Sequence, residues 1–171
     1  FKNFSKGLGF LSREIAEKYG VRGIVGRASG VMKDLRKEKN YGVYDLIEWE
    51  SLIINEGDLK GRVDLMLFEL HQSLKIIKEC FRKMSGKEIK VKIEEIPEGI
   101  CESEVESPLS EIKHVVVSNG SNVPFKHEIL DGCENIKKIA KKIGENYKGE
   151  EKILTMISLY PFYYFDYEVR C

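Results

Sequence analysis

The stretch GDLKGRVDLMLFELHQSLKIIKECF, Gly57 to Phe81, decides how this chain is read. Its apolar residues fall at Leu59, Val63, Met66, Leu70, Leu74, Ile77 and Phe81. Steps of three and four are the helical period, so these side chains form one continuous stripe. Asp58 stands where a carboxylate accepts from the free amides of a first turn. Gly86 stands where a left-handed residue closes a helix. At 1.5 Å per residue such a helix is roughly 35–40 Å long, enough to cross a domain. The pattern predicts a long central amphipathic helix with its stripe in the core. The other face, with Asp58, Arg62, Glu69, His71, Gln72 and Ser73, carries more specific polar groups than solvation alone requires.

Working outward, SREIAEKYG predicts a short helix capped by Ser12, with Ile15 and Ala16 inward and Gly20 as its stop. The segment VRGIVGRASGVMKDLRKEKNYGVYD is rich in glycine and predicts an irregular loop. Its glycines at 20, 23, 26 and 30 lack the spacing and the preceding strand of a dinucleotide-binding turn. A loop holding Arg27, Asp34 and Arg36 needs internal partners, and Asp34 is expected to pair with Arg27 or Arg36. Asp45 to Glu56 reads as an extended segment or short strand. Beyond the helix, Ile89, Val91, Ile93 and Ile96 alternate with charged residues and predict a strand ended by Pro97 and Gly99. Glu104 to Leu130 predicts a β-hairpin, with Val115 to Val117 in one strand and turn residues from Ser118 to Asn122. Asp131 to Lys148 predicts an amphipathic helix burying Ile136, Ile139, Ala140 and Ile143. Glu151 to Leu159 predicts a last apolar helix or strand. The whole is an α+β fold in one domain, 1–171, with further helices and a small antiparallel sheet around the long one.

The chain has 171 residues, with 28 Lys and Arg against 28 Asp and Glu. A balanced charge argues against a dedicated nucleic-acid partner. No apolar run reaches the length of about 18 that a membrane span needs. Cys80, Cys101, Cys133 and Cys171 are too scattered for a zinc or redox pair and read as free thiols. His71, His114 and His127 match no metal spacing. Glu102, Glu104 and Glu106 alternate along an extended segment and read as exposed carboxylates rather than an acid–base pair. The chain starts at Phe1 rather than Met, and is expected to be the C-terminal portion of a longer polypeptide.

Three strings carry a resemblance. GDLKGRVDLMLFELHQSLKII is similar to a family pattern of Gly-Asp, three residues, Arg, and later Glu, three residues, Ser-Leu. GRASGVMKDLRKEKNYGVYD resembles the same family at Arg27, Ser29, Gly30, Asp34, Leu35, Arg36, Tyr41 and Tyr44, with Asn40 where proline is usual. The hairpin resembles it at Glu106, Pro108, Glu111, Ser118, Gly120, Pro124 and Phe125. It departs at Leu109, Ser110, Lys126 and Leu130, where the family has arginines and a glycine. This family contains the quinone-site large subunit of complex I and the large subunit of membrane-bound, energy-converting nickel–iron hydrogenases.

The resemblance implies a hydrogenase large-subunit-like fold, packed on a small iron–sulfur subunit and borne peripherally by membrane subunits, on the cytoplasmic side. It implies electron transfer between a cluster on that partner and a quinone, another acceptor or protons, as in NAD-linked quinone reduction. The alternative is a catalytically inactive subunit that serves assembly. Arg27, Asp34, Arg36, Asp58, Arg62, Glu69 and Glu106 become the candidate ligand-binding or interface residues; no catalytic residue is assigned. This chain itself is expected to bind no metal or cofactor, with quinone the candidate ligand. In the tail ISLYPFYYFDYEVRC, aligned on Ser158 and Pro161, Phe162 and Phe165 take the places of two nickel-binding cysteines and Tyr160 that of an aspartate. A phenyl ring cannot ligate a metal. The tail's aromatic residues either fill the space of a lost metal centre or line a slot for a planar ligand.

Overall fold

The computed structural model describes residues 6–39, 41–84, 86, 90, 92–93 and 95–160. Six helices flank a three-stranded antiparallel sheet among these residues: α1 (Arg13–Lys18), α2 (Gly23–Ala28), α3 (Leu35–Glu38), α4 (Leu59–Lys83), β1 (Glu98–Glu106), β2 (Glu111–Asn119), β3 (Lys126–Asp131), α5 (Glu134–Gly144) and α6 (Gly149–Leu159). The strand order is β1-β2-β3. β1 pairs with β2 from Glu98↔Asn119 to Glu106↔Glu111, and β2 with β3 from Ile112↔Asp131 to Val117↔Lys126.

The main core joins the N-terminal helices to α5 and α6: Leu11, Ala16, Val21, Val25, Ile136, Ile139, Ala140 and Leu159 are all buried together. Tyr160 closes this cluster. A smaller cluster of Ile24, Ala28 and Leu65 seats α4 on α2. Ser12 Oγ accepts from the Ile15 amide, as expected of a cap, but Ile15 itself is exposed and only Ala16 turns inward on this short helix.

Three expectations need correction. The glycine-rich segment is not an irregular loop. Ile24, Val25 and Ala28 lie close enough in sequence to bury one side of a helical turn, giving α2, and the Asp34 carboxylate accepts from the Arg36 amide to start α3. The alternating stretch before Pro97 is not the strand. Ile93 and Ile96 stand outside it, and Ile89 and Val91 lie outside the described residues. β1 begins at Glu98, with Gly99 within it, because that is where β2 supplies a partner; the register ends at Asn119 and leaves the earlier residues no ladder. Alternation alone does not make a strand.

The third correction concerns α4. It starts where expected, with the Asp58 carboxylate accepting from the Gly61 amide at 2.8 Å, but it ends at an extended Met84 rather than a glycine cap. Only the start of its apolar stripe belongs to the core, with Leu59 buried and Met66 packed on the smaller cluster. Leu70, Leu74, Ile77 and Phe81 are 50–69% exposed. The face laid on the body is set by Arg62, Leu65, Glu69 and Gln72. At about 100° per residue it lies roughly a third of a turn from the stripe. Gln72 and Lys83 donate to the carbonyls of Glu50 and Leu46, so the segment 46–54 runs along this side of the helix.

The turn from Ser107 to Ser110 fixes the end of β1 against α2. The Ser107 amide donates to the Ser110 carbonyl at 2.7 Å, and Gly23, at φ +64°, lets the Leu109 carbonyl come close. A Cβ on residue 23 would stand 2.1 Å from that oxygen. Gly23→Ala combines a clash with backbone with a left-handed φ, so it is expected to cost about 2 kcal/mol or more, read as a lower urea midpoint with unchanged slope.

Candidate functional site

Five of the seven candidate residues come together around Arg27, which is 1% exposed. Its Nε donates to Glu69 Oε1 of α4 at 2.8 Å, and its Nη1 donates to Glu106 Oε1 of β1 at 2.5 Å. Asp34 Oδ2 lies 4.0 Å from the same Nη1. Asp34 also receives a two-pronged bond from Arg36, Nε to Oδ1 at 2.8 Å and Nη2 to Oδ2 at 2.7 Å, and a hydroxyl bond from Ser51 at 2.7 Å. The expected pairing of Asp34 with one arginine is therefore a bridge to both. Glu106 is far from the exposed carboxylate expected of its alternating trio. Its second oxygen accepts from the Leu35 amide at 3.1 Å, and its own amide donates to Tyr41 Oη at 3.0 Å. Glu102 and Glu104 behave as surface residues, paired with Lys113 and Lys39.

The electrostatics follow from this packing. Three carboxylates face two guanidinium groups. Burial works against the charge on Arg27, but Glu69 and Glu106 outweigh it and hold its pKa above the usual value. Burial likewise pushes Asp34 up, while the bonds from Arg36 and Ser51 and the charges of both arginines bring it below the ordinary carboxylate range. Burial raises the Tyr41 phenol. Arg36 also lies over the Trp49 ring, 4.8 Å from its centroid, and Trp49 Nε1 donates to the Tyr44 carbonyl at 2.9 Å.

Asp58 and Arg62 form a separate junction at the start of α4. Arg62 is wholly buried; it donates to the carbonyls of Gly57 and Gly9 at 3.0 and 2.9 Å and to Ser158 Oγ at 2.9 Å. Its Nε has no hydrogen-bond partner among the described residues. Burial lowers its pKa to about 10, with Asp58 opposing the fall, so it stays charged at neutral pH. Asp58 accepts from the Gly7 amide at 2.6 Å as well as capping α4. This pair clamps the chain start, α4 and α6 together.

A cavity of about 280 Å³ opens beside the Arg27 network, lined by Arg27, Arg36, Tyr44, Met66, Glu69, Leu70, Ser73 and Glu106. Tyr41 and Ser51 were not among the site candidates. Tyr41 stands in the motif that resembles the family, whereas nothing local to Ser51 marks it. Lys126 and Leu130, two of the departures from the family pattern, lie exposed in β3 rather than at this cavity. His114 Nδ1 and His127 Nε2 meet at 2.9 Å on the sheet surface. Among the described residues no three His, Cys, Asp or Glu side chains are grouped to hold a metal ion, and no helix is long and apolar enough to cross a membrane. Cys80 and Cys101 form no disulfide among the described residues. Phe162 and Phe165 lie outside the described residues.

A family model for the respiratory-chain NADH dehydrogenase 49 kDa subunit matches residues 1–98. The chain belongs to this family. Among relatives, it is 32% identical over 157 residues to an NADH-quinone oxidoreductase subunit of Desulfitobacterium hafniense (strain Y51), covering 90% of this chain and 42% of that one. It is 36% identical over 124 residues to an NADH-quinone oxidoreductase subunit of Bacteroides fragilis (strain YCH46), covering 71% of this chain and 23% of the relative. The fold is similar to a chain in the structure of the membrane-bound sulfane sulfur reductase, an archaeal respiratory membrane complex. The TM-score is 0.80 at 23% identity, covering 92% of this chain and 44% of that one. The chain thus spans less than half the length of these relatives.

Two measurements test the network in this 49 kDa-family chain. Arg27→Met leaves Glu69 and Glu106 buried without their cation and is expected to cost about 3–5 kcal/mol in urea unfolding. Asp34 is held charged in the folded state, so its contribution is fully present above the unfolded value of about 3.9 and is lost as pH falls through the lower folded value. Asp34→Asn is therefore expected to be less stable than the wild type at pH 7, with the gap closing in acid.

Proposed function

We propose that this chain is a peripheral subunit of a membrane-associated respiratory complex and takes part there in electron transfer from an iron–sulfur partner to a quinone or another acceptor. The observation that carries this reading is the gathering of Arg27, Asp34, Arg36, Glu69 and Glu106, up to 79 residues apart in sequence, beside one cavity in a chain of the 49 kDa family. A buried ion network with perturbed pKa values at a cavity wall is a candidate functional site. The relatives' names supply the redox chemistry, since they include NADH-quinone oxidoreductase subunits.

At about 280 Å³ the cavity lies just below the usual size range of ligand pockets, and its charged groups share the wall with Ile24, Tyr44, Met66, Leu70 and Pro108. We therefore give the network a positioning role at the edge of the acceptor site, and derive no quinone contact from it. Nickel chemistry is absent from this reading, because Phe162 and Phe165 stand where the resembling hydrogenases carry ligating cysteines.

A second reading, an inactive subunit that serves assembly, draws support from the network's own bonding. Arg27 and Asp34 already have partners within the chain. Purification of the native complex with Glu69→Gln separates the two. Electron transfer to a soluble quinone analogue is expected to fall about tenfold or more per assembled complex, as for residues that orient a reacting site. Unchanged transfer per complex with loss of assembly gives the second reading, and stoichiometric nickel in the wild-type complex overturns the nickel-free one.

A further inference from the structure

Side chains alternate along a strand, so the sheet has two faces. The register places Cys101 and Ser103 of β1, His114 and Val116 of β2, and His127 and Ile129 of β3 on one of them. His114 stands opposite Ile129 and therefore diagonal to His127, a separation that long side chains span. The two rings meet there. His114 Nδ1 and His127 Nε2 are 2.9 Å apart, with ring centroids at 5.1 Å and planes inclined by 19°. The nearby acids Glu102 and Glu128 fall on the opposite face, paired with Lys113 and Lys126. Asp131 shares the histidines' face, but its carboxylate accepts from the Cys133 amide at 2.9 Å. Sequence spacing gave no hint of this pair, because its members are 13 residues apart and converge only through the register.

We propose that His114 and His127 form a solvent-open site for a divalent transition-metal ion of the zinc class. Two neutral imidazoles meeting nitrogen to nitrogen share one hydrogen, which one ring donates and the other accepts. A metal ion takes the place of that hydrogen with no net loss of protons. The donating ring moves its hydrogen to its outer nitrogen, and both inner lone pairs then face the ion. Two nitrogens bound at 2.0–2.1 Å to a tetrahedral zinc ion stand about 3.3–3.4 Å apart. The observed pair therefore opens by only about half an ångström, through small turns about χ2, a soft torsion in histidine. Imidazole is a preferred ligand for such ions. With two protein ligands, water fills the remaining positions, so the ion exchanges freely, unlike one in a closed structural site. The site also has a mechanical effect. β3 is an edge strand and all six of its residues are exposed. An ion held by one histidine from each strand ties this edge to β2 and favours the paired state.

The test titrates zinc chloride into the metal-free full chain and follows the heat by calorimetry. One saturable site per chain is expected. His114→Gln and His127→Gln each remove one of the two ligands. Each is expected to weaken binding by about tenfold or more, since loss of an outer-shell partner alone costs roughly 10–100-fold. His127 is exposed and His114 half-buried, and unchanged circular dichroism checks that both variants keep the fold. His71→Gln on α4 and Cys101→Ser on the same face of the sheet are expected to bind zinc as the wild type does. Zinc is also expected to slow hydrogen exchange at the β3 amides of the wild type, an effect that His127→Gln removes. Absence of a saturable site, or binding that both glutamine variants retain, overturns the proposal. Binding lost in Cys101→Ser overturns it in favour of a thiolate site.

Discussion

Arg27 is the constraint on which the rest of the structure turns. A guanidinium this far from water is tolerable only when its charge is met by carboxylates in good geometry. Glu69 and Glu106 meet it directly, and Asp34 stands at the edge of bonding distance. These residues sit on α2, α4, the end of β1 and the start of α3. One buried charge therefore fixes the relative placement of four elements whose shared apolar contact is small. The smaller core, Ile24, Ala28 and Leu65, could slide by a turn at modest cost; the forked bonds of Arg27 could not. The side chain supplies register more than stability.

Much of this was legible in the sequence, for reasons that differ between elements. The N-cap at Asp58, the burial of Ile136, Ile139 and Ala140 and the β2–β3 hairpin follow from local chemistry: a carboxylate before a helix, a helical period, a turn-rich string between valines. The site residues were legible through resemblance rather than through spacing, because Arg27 and Glu106 meet only in three dimensions. What misled was the assumption that the apolar face of an amphipathic helix is the face that packs. In α4 the polar anchors Arg62 and Glu69 point inward beside the buried Leu65, while Leu70 and Leu74 point outward. The period was right, but among the described residues no element covers the second face. Exposure of Glu106 was misjudged for a related reason: alternation assigns faces to a strand, and says nothing of a strand end that dives beneath a helix.

The two clamps on α4 differ in kind. At Glu69 the helix is held by an ion network in which every charge has a partner of opposite sign. At Arg62 it is held by a single cation donating to neutral carbonyls and a hydroxyl, with burial depressing its basicity. The first is sensitive to the identity of the charges around it. The second depends on the path of the backbone through Gly9 and Gly57, and on the C-terminal end of α6.

That second clamp sets a schedule for the chain as it is made. Arg62 and Ser158 are 96 residues apart. A helix of the length of α4 forms within about 0.1–1 μs, yet at ordinary synthesis rates Ser158 follows Arg62 by roughly 5–20 s. Throughout that interval α4 can sample its helix, but its apolar stripe is bare and its arginine lacks a hydroxyl partner from α6. Any polypeptide that reaches the stripe first meets a helix not yet fastened, so the order of synthesis, as well as the final contacts, governs what this surface receives.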